Sequence, residues 1–166
     1  MITLLAHNKR QIARQILNVQ IPSYQKEAEL LQTDRIPRLY DSINDILSCN
    51  EIFLGYFQKE ELAGFISFKK WEGNLVDIHR LVVAQAHFRK GIAKSLLSSL
   101  LNRFPNSTFT VSTGEDNTPA RNLYENTGFI QTRSTQVEPN LWINHYKRTP
   151  KRELPKTPTS GHPNNG

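Results

Sequence analysis

The fold is decided by the stretch VDIHRLVVAQAHFRKGIAKSLLSSLL, which runs from Val76 to Leu101. Its first part reads as an apolar β-strand, its middle as a tight turn around Gly91, and its last part as a helix with apolar residues at every fourth position. The first N–H groups of a helix have no partner within it and lie at the positive end of the helix dipole, so such a turn is suited to bind phosphate. Arg89, Lys90 and Lys94 add positive charge there.

The strand in this stretch changes its apolar face part-way. Its apolar residues fall at even positions up to Ile78 and at odd positions from Leu81 onward. Because side chains alternate between the two faces of a strand, the change predicts a β-bulge around His79 and Arg80, with unpaired main-chain groups near the carboxyl end of the strand. Such groups can bind a ligand that contains amides. Alternatively, Val82 makes the segment apolar on both faces, as in a buried central strand, without any bulge.

The run LVVAQAHFRKGIAKSLL resembles the acyl-CoA-binding motif of the GNAT superfamily of N-acetyltransferases, whose usual turn is Gln/Arg-x-x-Gly-x-Gly/Ala. In this chain Phe88 stands at the first position of the motif, and the basic residue follows one place later. The resemblance implies that main-chain groups of Leu81 and Val83 bind the acetyl carbonyl and the pantetheine arm, and that the turn amides bind the pyrophosphate. The residues it implies for acetyl-CoA binding are Leu81, Val82, Val83, Phe88, Arg89, Lys90, Gly91, Ile92, Ala93 and Lys94 in this stretch, and Asn117 and Tyr124 farther along the chain.

A second motif follows about one strand later, in TGEDNTPARNLYENTGF from Thr113 to Phe129. Asn117 or Thr118 can cap a helix there, and Gly128 lies where a helix ends in a left-handed residue. The stretch also resembles the GNAT pattern Asn-x-x-Ala-x-x-x-Tyr followed by Gly-Phe, with Asn117, Ala120, Tyr124, Gly128 and Phe129 in register. Two motifs in the expected order and spacing are far more specific than either alone.

The resemblance implies an α/β (α+β) GNAT fold, with a mixed, mostly antiparallel sheet of about six to seven strands flanked by helices. The sheet is expected to splay between the 76–83 strand and a strand at 108–112, so that the cofactor can enter. Residues 1–148 would form this domain, and residues 149–166 a disordered tail rich in basic residues and proline.

The chain before residue 50 is expected to cover the acceptor site. The pattern predicts a helix from Lys9 to Val19 that Pro22 stops, a second short helix from Ser23, and a third helix after Pro37. The polar and aromatic pocket candidates in this region are Tyr24, Glu27, Glu29, Tyr40, Asp41 and Asp45. For most of them, a place in the core or on a solvated face is the favoured interpretation.

The activity that the resemblance implies is transfer of the acetyl group of acetyl-CoA to a primary amine by direct attack on the thioester. Tyr124 is the expected general acid, since a phenol is protonated at neutral pH. The Leu81 amide would stabilise the oxyanion, and Asn117 would bind the pantetheine arm, position Tyr124 or simply cap its helix. His79 is the candidate base, with Glu115, Asp116 or water as alternatives; no metal is expected.

Composition restricts the remaining possibilities. Of the net charge of +6, four charges lie from Lys147 onward, where there are five basic residues and one acidic residue, so we expect no nucleic-acid binding. No apolar run suits a membrane span or a signal peptide, and the single Cys49 reads as an ordinary buried thiol, so a cytoplasmic protein is expected. The partners expected are acetyl-CoA and a small-molecule or protein amine, with the chain a monomer or homodimer. A non-catalytic acyl-CoA sensor and a transferase for a longer acyl group are the alternatives.

Overall fold

The computed structural model describes residues 1–151. The strands are β1 (Ile2–Leu4), β2 (Ile52–Gln58), β3 (Glu61–Trp71), β4 (Leu75–Val83), β5 (Thr108–Gly114), β6 (Ile130–Glu138) and β7 (Leu141–Arg148). The helices are α1 (Arg10–Leu31), α2 (Ile43–Leu47), α3 (Ile92–Arg103) and α4 (Thr118–Asn126). Two 3-10 turns complete the set: Pro37–Tyr40, named here the 37–40 turn, and Gln85–His87.

The strands form one seven-stranded sheet in the order β1-β2-β3-β4-β5-β7-β6. Only the β4–β5 pair is parallel, and the other neighbours run antiparallel. One apolar core lies where α3 packs against the sheet, and a second holds residues of α1, α2, β2 and β3. The prediction of a mixed α/β fold with a mostly antiparallel sheet is confirmed.

The bulge predicted in β4 is present. Ser67 of β3 pairs with Arg80, and the next residue, Phe68, pairs with Ile78, so His79 is the extra residue of the ladder. Because of the bulge, Ile78 before it and Leu81 after it lie on the same face of the sheet. Ile78 is buried in the core between α3 and the sheet, named here the α3 core, and Leu81 packs against that core. Arg80 and Val82 lie on the opposite face of β4 from Leu81. Val82 is buried in the second core, which contains α1 residues and is named here the α1 core.

The splay between β4 and β5 is also present. These two strands pair only over Leu75↔Thr108, Val76↔Phe109 and Asp77↔Thr110. Beyond Asp77, β4 has no β5 partner, while β5 continues its pairing with β7 to Gly114. The carboxyl half of β4 therefore has one edge without a strand partner.

The prediction that Pro22 stops the first helix was wrong. A single helix, α1, runs through Pro22 to Leu31. Proline in a helix interior costs about 3 kcal/mol. Apolar packing on both sides of it offsets this cost, since Val19 before it and Leu31 after it are both buried. The continuous helix places its carboxyl-terminal half, with Tyr24 and Glu27, close to β4.

The third predicted helix is divided into two pieces. The 37–40 turn comes first, and α2 begins afresh at Ile43, because Ser42 and Asp45 form a reciprocal capping box. This gives Asp45 a structural role at the start of a helix.

The last strand, β7, ends at Arg148, which is also the last residue of the domain expected from the sequence. The predicted tail, residues 149–166, lies beyond it, and residues 152–166 are outside the described part of the chain. Within residues 1–151, no helix combines the length and the hydropathy that a membrane span requires.

Candidate functional site

The turn between β4 and α3 carries two residues in the left-handed region. Arg89 has φ +64° and Gly91 has φ +74°, and Gly91 is the N-cap residue of α3. No side chain caps this helix, so its first N–H groups lack a side-chain acceptor. A Cβ added at Gly91 would meet nothing within 4 Å, so the main chain is open to a ligand. Successive open amides at a helix start form an anion-binding concavity, which fits a pyrophosphate.

The side chains of this turn have different surroundings. Phe88 is 43% exposed, whereas Ile92 is buried in the α3 core and anchors the helix start. Lys90 Nζ lies 3.3 Å from Gln58 Oε1 and 3.2 Å from His87 Nδ1, so this lysine is held back against β2. A ligand of the turn would therefore meet mainly main-chain donors.

A cavity of about 410 Å³ lies at the opening between β4 and β5. Residues of α1, the 37–40 turn, β4, β5 and α4 surround it. Seven of the candidates singled out from the sequence line it, namely Tyr24, Glu27, Asp41, His79, Leu81, Asn117 and Tyr124. The structure thus brings the two sequence motifs and the carboxyl-terminal half of α1 to one place.

Other candidates lie elsewhere. Tyr40 is exposed, and its hydroxyl donates to Asp34 O; Glu29 borders a separate surface depression. The side chain of Val82 packs in the α1 core. Neither Glu115 nor Asp116, the alternative bases, lines the cavity at the β4–β5 opening.

Tyr124 is the most enclosed phenol of the cavity, with 4% of its surface exposed. Its ring packs edge-on against Phe129, with centroids 5.4 Å apart, and lies 6.1 Å from the Tyr146 ring. Burial raises the pKa of Tyr124 well above its usual value, and Tyr24 and Glu27 raise it further. The hydroxyl is therefore protonated throughout the working range of pH.

Asn117 caps its helix, which is one of the three roles considered for it, and it also contacts α1. Its Oδ1 accepts from Ala120 N at 3.3 Å and caps α4. Its Nδ2 donates to Glu27 Oε1 at 3.5 Å, which connects α4 to α1 across the cavity. The helix cap thus orients the amide toward the cavity.

His79 lies between two carboxylates. Its Nε2 is 3.0 Å from Asp77 Oδ2, and its Nδ1 is 3.6 Å from Glu51 Oε2. Hydrogen bonds to Asp77 and Glu51 raise the pKa of His79 to about 9, against the opposing effect of burial. Arg38 Nη2 also lies 3.3 Å from Nδ1, so both ring nitrogens are engaged by neighbouring side chains, and this geometry disfavours the expected role of His79 as base.

Beneath the cavity lies an ion-pair network that sequence reasoning missed. Arg80 donates from Nη1 to Glu51 Oε1 at 2.9 Å and from Nη2 to Asp41 Oδ2 at 3.1 Å. Gln20 Nε2 donates to the same Asp41 oxygen at 2.7 Å and to Arg38 O at 3.0 Å, which ties the 37–40 turn to α1. The only sequence signal was the change of apolar face within β4, because the bulge that it indicates places Arg80 on the α1 side of the sheet.

Cys49 is half-buried rather than fully enclosed. Its Sγ lies 3.5 Å from Glu51 Oε2 and 3.7 Å from Arg80 Nη1, so it borders the same network. Within residues 1–151, no group of three or more His, Cys, Asp or Glu side chains is arranged to hold a metal ion.

Comparisons with known proteins agree with this geometry. The family model described as the acetyltransferase (GNAT) family matches residues 13–129. The UPF0157 protein YqkA of Bacillus subtilis (strain 168) is 38% identical over 155 residues, which cover 93% of this chain and 45% of that protein. The chain therefore spans about half the length of this relative.

Several solved acetyltransferases share the fold. An N-acetyltransferase from Staphylococcus aureus Mu50 superimposes with a TM-score of 0.69 at 15% identity, over 90% of this chain and 97% of that one. An aminoglycoside 6'-N-acetyltransferase complexed with coenzyme A gives 0.68 at 14% identity, over 90% and 96%. The ribosomal-protein-S18-alanine N-acetyltransferase of Escherichia coli gives 0.66 at 14% identity, over 90% and 92%. Because the family model matches more than half of the sequence, the chain belongs to the GNAT acetyltransferase family.

Proposed function

We propose that the protein is an N-acetyltransferase that moves the acetyl group of acetyl-CoA to a primary amine. The observation that carries this proposal is the position of Tyr124. A buried, protonated phenol lines the cavity at the β4–β5 opening, and β4 leads from that cavity directly into the turn with open amides.

The donor would bind along β4 and the following turn. The pyrophosphate would accept from the amides of Arg89 to Ala93, and Arg89 and Lys94 would add positive charge. Leu81 and Val83, which have no partner strand on the β5 side, would offer main-chain groups to the acetyl carbonyl and the pantetheine arm. The similar aminoglycoside enzyme was solved in complex with coenzyme A, which supports acetyl-CoA as the donor.

The chemistry follows from direct attack on the thioester. The amine nitrogen forms a bond with the carbonyl carbon, an oxyanion develops on the carbonyl oxygen, and the C–S bond breaks. The Leu81 amide would donate to the oxyanion, and Tyr124 would donate its proton to the departing sulfur. Asn117, which caps α4 at its start, would position the helix that carries Tyr124.

Gly91→Ala tests the donor site. A left-handed conformation costs a residue with a Cβ about 1 to 2 kcal/mol, so the variant is expected to lose about that much stability. The same strain would displace the turn amides and weaken CoA binding. Gly73→Ala is the matched control, because Gly73 has φ +78°, also has open space around it, and lies in the β3–β4 turn. Thermal unfolding and calorimetric titration with CoA measure the two effects. Equal CoA affinity in both variants would contradict the proposed cradle.

Tyr124→Phe tests the acid. Loss of a positioned general acid is expected to lower turnover about tenfold or more at neutral pH, with the affinity for acetyl-CoA unchanged. The measurement is release of free CoA from acetyl-CoA in the presence of pooled amines, and splitting the active pool identifies the acceptor.

Tyr24→Phe is the comparison variant, because Tyr24 is a second protonated phenol that lines the same cavity. If Tyr24→Phe abolishes turnover and Tyr124→Phe does not, the acid is Tyr24. If acetyl-CoA raises the melting temperature but no amine stimulates CoA release, the acyl-CoA sensor replaces the enzyme as the favoured function. If acetyl-CoA does not bind, the donor assignment fails.

A further inference from the structure

The charges around the cavity pair with one another, with one exception. The basic side chains are Arg38, Arg80 and His79, and the carboxylates they contact are Asp41, Glu51 and Asp77. Three basic groups therefore face three carboxylates. The remaining charged side chain that lines the cavity is Glu27.

Glu27 has no cationic partner among the residues that the structure describes. Its recorded polar contact is the weak hydrogen bond from Asn117 Nδ2 at 3.5 Å. Burial raises the pKa of Glu27, and the Asn117 bond offsets only part of that rise. A partly buried carboxylate without a cation is costly, and a positively charged ligand would remove the cost.

We propose that Glu27 binds the ammonium group of the acceptor and accepts its proton, and that the acceptors are primary amines with no carboxylate next to the amine. This inference rests on the proposed acetyl transfer. A carboxylate beside the amine, as in a free α-amino acid, would place a second negative charge next to Glu27. The neighbouring cations are already engaged by carboxylates, so they could bind such a group only by giving up an existing ion pair.

The step balances as follows. The ammonium proton passes to a Glu27 oxygen and from there to water, and the nitrogen lone pair then forms the C–N bond. The C–S bond breaks, and Tyr124 supplies a proton to the departing sulfur. The proton that the nitrogen loses on becoming an amide restores Tyr124. One proton is released to solvent for each acetyl group transferred.

Other ionisable groups also surround the cavity. Tyr24 on α1 and Tyr124 on α4 face Glu27 and stay protonated, because burial raises the pKa of both phenols. Arg38 and Asp41 at the 37–40 turn, and His79 and Arg80 on β4, are held in ion pairs. Activity is therefore expected to fall as the pH drops through the raised pKa of Glu27.

The test compares Glu27→Gln with Glu29→Gln, a change on the same helix outside the cavity. The acceptor probes are L-alaninamide and L-alanine, which differ in the carboxylate. Two measurements are made: CoA release as a function of pH, and calorimetric binding of each probe to the protein saturated with CoA. Melting temperature and CoA affinity confirm that each variant is folded.

We expect the wild type to bind alaninamide in the CoA complex and to acetylate it with kcat/KM about tenfold or more above that for alanine. Glu27→Gln should lower kcat/KM by about tenfold or more, weaken alaninamide binding and remove the acid limb of the pH profile. Glu29→Gln should change none of these.

The outcomes separate the two proposals. If Glu27→Gln acetylates alaninamide as well as the wild type, or if alanine is the better acceptor, the role of Glu27 is overturned while acetyl transfer stands. If alaninamide binds in a Glu27-dependent way but is never acetylated, the ammonium site stands and the proposed transfer fails. If alaninamide does not bind the CoA complex of the wild type, the ammonium site is overturned.

Discussion

Replacing Arg80 with methionine is expected to lower the free energy of unfolding by about 3 to 5 kcal/mol. The Arg80 side chain is 3% exposed and makes ion pairs with Glu51 at 2.9 Å and with Asp41 at 3.1 Å. Methionine has a similar length, so the change removes the charge and leaves little empty volume. The loss arises because two largely buried carboxylates would keep their charges without the cation between them.

Urea unfolding at neutral pH measures the effect, and Arg121→Met is the control. Arg121 on α4 lies 3.9 Å from Glu125 in an i,i+4 pair with both side chains partly exposed. Such pairs are worth less than about 0.5 kcal/mol, so this variant should unfold nearly as the wild type does. Equal losses in the two variants would mean that Arg80 contributes no more than a surface ion pair. Adding Glu51→Gln to Arg80→Met should recover part of the loss, since one uncompensated charge is then removed.

The same ion pairs hold the wall of the cavity. Asp41 accepts from Arg80 and from Gln20, and Gln20 also donates to the main chain of Arg38. Without Arg80, the 37–40 turn would lose one of the contacts that fix it beside β4. Arg80→Met should therefore weaken binding of the acceptor more than binding of CoA, because Arg38 and Asp41 line the cavity, whereas the proposed pyrophosphate donors are main-chain amides of the turn at residues 89–93, which takes no part in these ion pairs.

The parts of the fold that the sequence predicted are those encoded by local patterns. The change of apolar face after Ile78 predicted the bulge in β4. Gly91 indicated a tight turn, and its left-handed backbone conformation is one that glycine adopts readily. The helix with Asn117 at its start placed Tyr124 at the opening of the sheet. The bulge and the turn depend on residues within a few positions of one another, so their local spacing was informative, whereas the expected place of Tyr124 came from the resemblance to the GNAT motifs.

The parts that the sequence did not predict depend on packing between distant segments. Pro22 is tolerated because the sheet covers α1 on both sides of it, which no local rule reveals. Arg80 and Glu51 are separated by 29 residues and meet only after β2 and β3 pair and β4 joins them. Glu27 was one of six candidates, and only the pairing of its neighbours distinguishes it.

His79 gives the folded protein a dependence on pH that can be measured directly. The pKa of His79 is about 9 in the folded state, because Asp77 and Glu51 bond to its ring, and about 6.5 when the chain is unfolded. The side chain is 19% exposed, so solvent screens these bonds only in part. The stabilisation from the ring is therefore fully present below pH 6.5 and is lost as the pH rises through 9. Its size is of the order of 3 kcal/mol.

The measurement is the free energy of unfolding of the wild type and of His79→Gln between pH 5.5 and 9.5. The difference between them should be largest at the acidic end and shrink by about 3 kcal/mol by the alkaline end. His145→Gln is the control of opposite sign, because burial lowers the pKa of His145 and its ring is less easily protonated in the folded state than in the unfolded one. If the difference for His79 stays constant with pH, the pKa of the ring is the same in the folded and unfolded protein, about 6.5, and the ring is mostly neutral at neutral pH. In that case His79 could accept a proton at neutral pH, and it would compete with Glu27 for the role of base.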